Sequence, residues 1–142
     1  MFRAVNEMDP RAHAGSLNLG MLLMAQGRPA EARGIVEDAV AVFERHQSRA
    51  LLGLGRCVLS GCLAALDDWD GFHRELEAGA QILDAIGFAD VDIALVAQDA
   101  GEAARAAVQD LLADRAFRQA GDWFEQLGRT DEAAAARARA TG

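Results

Sequence analysis

The chain has no lysine: all fourteen basic residues are arginine, set against twenty-two acidic ones, for a formal charge of -8 over 142 residues. A phosphate-binding surface needs a basic stripe, so nucleic acid is excluded as a partner, and anionic membranes are disfavoured for the same reason. Proline occurs only at Pro10 and Pro29. Each suits a first helical turn, where its missing N–H costs nothing. The two cysteines, Cys57 and Cys62, stand five apart on one helical stretch, roughly 140° around its axis. They do not pair within that helix and read as small core residues. The longest apolar run, 50–66, contains Arg56 and three glycines and falls short of the ~20 residues of a bilayer span. Residues 1–10 are polar and mixed in charge, without the apolar segment of a secretory signal. The expected compartment is cytoplasmic.

What the chain does have is alanine, and with it high helix propensity throughout. Turn signals fall near Gly27, Gln47-Ser48, Asp67-Asp68, Gly87-Phe88, Gln109-Asp110 and Gly128, about every twenty residues. This predicts rods over 10–26, 29–46, 48–66, 69–86, 90–108 and 111–127, with a shorter seventh over 131–140. Very short loops between equal rods force antiparallel neighbours. The first rod is expected to turn Leu19, Leu22 and Leu23 inward, with Leu17, Met21 and Met24 widening that face. The second carries a clear stripe at Ala32, Val36, Ala39, Val40 and Phe43. The third is apolar all round, from Leu51 to Leu66, and must be covered all round. The fourth offers Phe72, Leu76, Gly79, Leu83 and Ile86. The fifth offers Ile93, Ala97, Ala100, Ala104 and Ala107, and the sixth Phe117, Ala120, Phe124 and Leu127.

Two segments share one formula, Gly27-Arg28-Pro29-Ala30-Glu31-Ala32 and Gly128-Arg129-Thr130-Asp131-Glu132-Ala133. Together with Leu19-Gly20, Leu23 and Ala39, the first resembles a tetratricopeptide repeat. Gly121, Phe124, Gly128 and Glu132-Ala133 repeat part of the pattern. The expected fold is therefore all-α: a single domain over 1–142, an α-solenoid of seven helices in antiparallel pairs. Its units run near forty residues, longer than the usual 34 of that family. Forty-residue units of this kind are similar to the superhelical tails of large bacterial signalling ATPases, kinases and cyclases. The resemblance implies a protein-interaction scaffold, the sensor or assembly module of a larger signalling protein. It leaves two alternatives: a free-standing secretion chaperone that binds an apolar segment, and a small-molecule sensor.

In such arrays the first helix of each pair lines the concave side. Leu17, Asn18, Met21 and Met24 are therefore the candidate partner-binding residues. Leu54, Cys57 and Gly61 share that side, although Leu54 reads better as plain core, and His13 adds a polar group. The first nine residues look like the end of a repeat's second helix followed by an Asp-Pro entry to the next. The chain is expected to start in mid-repeat, as a piece of a longer array, or to dock Phe2 and Val5 on a neighbouring molecule as a homodimer. The alternative is a terminus without a role.

No catalytic, cofactor or metal site is expected. Asp68, Asp70, Gly71 and Glu77 fit four places of a calcium loop, but Leu66 and Arg74 occupy two others, which removes ligand and charge. A capped interhelical turn is the better reading. His13, His46 and His73 lie on different rods, and no nucleophile or phosphate-loop motif is present.

Overall fold

A computed structural model describes residues 10–140, and among them there is no strand. Seven helices follow one another: α1 (Pro10–Ala25), α2 (Pro29–Arg45), α3 (Arg49–Ala65), α4 (Trp69–Ile86), α5 (Val91–Ala106), α6 (Asp110–Gln126) and α7 (Thr130–Ala140). None of them is long and apolar enough to cross a membrane.

The turns set the metric. Each interhelical loop contains one residue of positive φ, namely Gly27, Gln47, Asp67, Gly87, Val108 and Gly128. Successive ones lie twenty residues apart, or twenty-one from Gly87 to Val108. In every loop the next backbone N–H donates to the carbonyl five residues back: Arg28 to Leu23, Ser48 to Phe43, Asp68 to Leu63, Phe88 to Leu83, Gln109 to Ala104 and Arg129 to Phe124, all at 2.8–3.0 Å. This closure satisfies a carbonyl that the helix end would otherwise leave open. Glycine takes the left-handed conformation freely. Val108 takes it at φ 59°, where a side chain costs about 1–2 kcal/mol.

The shared Gly-Arg formula has a structural counterpart. Arg28 grips Glu31 at 2.6 Å, and Arg129 grips Glu132 at 2.9 Å, each pair bridging a helix start. The alanine that follows each glutamate, Ala32 or Ala133, is buried in the contact with the neighbouring helix. Two other starts are capped by side chains: Asp68 accepts from Gly71 N–H at 3.0 Å, and Asp90 from Asp92 N–H at 2.8 Å. Asp68 of the calcium-like run is thereby engaged as a cap.

The helices form an α-solenoid of antiparallel pairs in two layers. Consecutive helices pack on each other, except that α5 leaves α4 and lies on α3. The odd helices α1, α3 and α5 stack directly, whereas α4 and α6 barely meet. The odd layer is therefore the tighter, inner one. At its centre α3 buries every residue from Cys57 to Ala64, covered by α1, α2, α4 and α5. Burial pushes the Cys62 thiol up to about 11 and that of Cys57 further still. Both are inert core groups at neutral pH.

Four expectations about facing are corrected, one of them Ile86, which ends α4 and is 42% exposed instead of facing the core. In α1, Leu17, Gly20 and Leu23 point inward, while Leu19 and Leu22 are 45% and 55% exposed. The physical reason is Gly20. A Cβ there would sit 2.5 Å from the Val36 side chain, so α1 turns its smallest residue to α2 and its leucine pair outward. Ala107 is the C-cap of α5 and is exposed. In α6 the buried aromatics are Phe117, Trp123 and Phe124, and Leu127 is only half-buried.

Candidate functional site

Between α1, α3 and α5 the inner layer opens into a groove of about 490 Å³. Its floor is small because α3 contributes Gly61, Ala64 and Ala65 beside Val58. Gly61 lets α5 close in: a Cβ there would lie 2.7 Å from Val96 Cγ1. From α1 come Met21, Met24 and Ala25, the two methionines half-buried. Met21 and Met24 precede Gly61 and Ala64 by forty residues, so the groove repeats one helix face with large side chains on α1 and none on α3. Long thioether side chains re-pack around varied shapes, which suits an adaptable surface.

The third wall is α5, with Asp92, Leu95, Val96, Asp99, Ala100 and Ala103. Sequence reasoning missed it. The signal was present, since Leu95 and Val96 fall off the stripe that buries Ile93, Ala97, Ala100 and Ala104.

Of the sequence-predicted binding residues, Met21 and Met24 come together in this groove. Leu17 does not line it, being 5% exposed in the core beside Leu23. Asn18 is exposed elsewhere on α1. Cys57 is core, and Leu54 packs half-buried against it. Phe2 and Val5 lie outside the described residues.

The groove carries charge of one sign. Asp92 and Asp99 are its ionisable groups. Asp99 keeps much of its surface exposed, and partial burial, then the neighbouring Glu102 carboxylate, holds its carboxyl above the ordinary range. The Asp99 side chain has no hydrogen bond or ion pair among the described residues. The nearby arginines are engaged elsewhere: Arg105 bonds Asp110 and Asp114, and Arg139 clasps Glu102.

A polar surface on the other layer is self-sufficient by contrast. Glu75, nearly buried, accepts from Arg56 at 2.9 Å and from Arg74 at 3.2 Å, and Arg56 also reaches Glu44 at 2.9 Å. This network ties α2, α3 and α4 together.

One further face is bare among the described residues. Gly15, Leu19 and Leu22 of α1 stand forty residues before Gly55, Leu59 and Cys62 of α3. The latter three are buried, with Gly55 receiving Val40 and Phe43 of α2. A Cβ at Gly15 would meet nothing within 4 Å.

A family model described as tetratricopeptide repeat matches residues 1–45 and, in an overlapping alignment, 17–61. The matched stretch takes in α1, α2 and most of α3. No curated protein and no solved structure gives a significant match.

Proposed function

We propose that this chain, a tetratricopeptide-like helical repeat domain, is a protein-interaction scaffold that holds a polypeptide segment of its partner in the groove between α1, α3 and α5. The carrying observation is the lining itself. Half-buried Met21 and Met24 face a floor of glycine and alanine, and Leu95 stays 40% exposed beside them. Folds of this type are as a rule non-catalytic, and the reading needs no chemical step. The resemblance of the forty-residue units to bacterial signalling proteins extends the proposal to a cytoplasmic assembly or sensor module of such a protein. The volume lies within the range of small-ligand pockets, about 300–1,000 Å³, yet the polar groups offered are carboxylates alone, a poor set for a varied small molecule.

The test is a photo-crosslinking residue at Leu95, compared in cells with the same residue at Leu111, which is 85% exposed on α6. Protein adducts at position 95 and not at 111 are expected. Equal labelling at both, or none at 95, overturns the groove.

The bare α1 face supports a second reading, self-association through the N-terminal end. Gly15 permits close backbone approach, and Leu19 with Leu22 supplies a self-complementary apolar pair of the kind that a two-fold dimer covers. Phe2 and Val5 extend this proposed contact. Sedimentation over a range of concentrations is expected to show a dimer that Leu22→Glu abolishes. A parent monomeric at every concentration refutes the contact.

A further inference from the structure

We infer that the segment held in the groove is apolar and cationic, and that it brings a lysine or arginine to Asp99. This rests on the groove reading and specifies its partner. Asp99 sits in a wall otherwise made of Val96, Ala100 and Ala103, and no described residue offers it a counter-charge. An apolar partner laid over this wall removes the remaining water from the carboxylate. Without a cation, that loss is uncompensated and opposes binding. The neighbouring Arg105 and Arg139 cannot supply it without abandoning Asp114 and Glu102, so among the described residues none is available and the partner is the source of the cation.

The geometry also sets a spacing. Asp92 and Asp99 lie two turns apart on α5, roughly 10 Å along its axis, with Leu95 and Val96 between them. A matching segment presents basic groups about that far apart with apolar side chains between, as one face of an amphipathic helix does. The net charge of -8 steers such a partner in and repels acidic ones.

The experiment measures the anisotropy of two dye-labelled amphipathic peptides about as long as α1, one of leucine and lysine, the other of leucine and glutamate. The lysine peptide is expected to bind and the glutamate peptide not to. Asp99→Asn is expected to weaken the lysine peptide about tenfold, as loss of a partly desolvated charge pair does. Asp38→Asn, the same charge change on the exposed side of α2, is expected to stay within about twofold. Because Asp99 has no partner within the described fold, Asp99→Asn is expected to melt like the parent, so weakened binding does not reflect misfolding. Absence of lysine-peptide binding, equal binding of both peptides, or an Asp99→Asn effect no larger than that of Asp38→Asn overturns the inference. Ala65→Trp, which fills the groove from an exposed helix end, separates the two readings. If it blocks the glutamate peptide while the lysine peptide never binds, the groove stands and its charge preference falls. If the lysine peptide binds regardless of Ala65→Trp, the groove itself is refuted.

Discussion

Gly79→Val is expected to destabilise the chain by about 4 kcal/mol or more, beyond the usual range for overpacking of 1–3 kcal/mol, and to leave little folded protein at ambient temperature. Gly79 is where α4 crosses α3. A Cβ there would lie 2.6 Å from Cys57 Sγ, 2.9 Å from the Gly53 carbonyl oxygen and 3.0 Å from the Cys57 backbone nitrogen. A flexible side chain could swing aside, but two of these three atoms are main chain inside a helix. Relief therefore requires α3 and α4 to separate along the most extensive interface of the fold, and α3 is also the helix on which α1, α2 and α5 rest. Domain stabilities of about 5–15 kcal/mol leave little margin for this. Gly34→Ala is the opposing control. It lies in α2, where a Cβ meets nothing within 4 Å, so it is expected to stabilise by about 0.5–1 kcal/mol through helix propensity alone. Urea denaturation of both variants checks the pair. A Gly79→Val protein that unfolds at the parent's midpoint would mean that α4 does not lie on α3 in this register.

The same crossing explains what was legible in the sequence and what was not. The rods and turns could be read almost to the residue, because left-handed loop positions every twenty residues are local chemistry that a chain displays in order. Facing was less legible wherever a glycine makes the contact. A hydrophobicity pattern weighs side-chain volume, so in α1 it favoured Leu19 and Leu22. The helix instead turns Gly20 to Val36 and leaves both leucines outside, because backbone proximity to α2 outweighs the burial of a leucine pair with no neighbour to bury it. The groove was half legible. Met21 and Met24 stand out as large adaptable side chains on an inner helix. The α5 wall depended on α5 leaving α4 for α3, a tertiary choice that the alanine-rich stripe does not announce, so Leu95, Val96 and Asp99 were missed. Trp123 was missed in a similar way, lying directly beside Phe124 yet buried with it.

Phe117→Ala is expected to cost about 4 kcal/mol and to loosen the C-terminal end alone. The Phe117 ring is fully buried in a small satellite core with Ala104, Ala113 and Ala140, packed against by Leu112 and Trp69. It stands on Gly101, where an added Cβ would approach the ring to 3.0 Å. Arg139 lies over one face at 4.9 Å from the centroid, with Arg105 at 6.0 Å. Phenylalanine-to-alanine changes in cores cost about 3–5 kcal/mol, and the spread reflects how far neighbours can collapse into the cavity. Here most neighbours are alanine or glycine, which have nothing to extend, so the void stays open and the two guanidinium groups lose their ring. In a linear array each unit contacts only adjacent ones, and α1 through α3 contribute no residue to this cluster. Hydrogen exchange is therefore expected to accelerate in α6 and α7 while the amides of Cys57–Ala64 keep the parent's protection, the pattern of local rather than global opening. Phe117→Leu, which refills part of the space, is expected to recover more than half of the loss. Uniform acceleration along the whole chain, or a cost below about 1.5 kcal/mol, would show that this small core does not hold the end of the array.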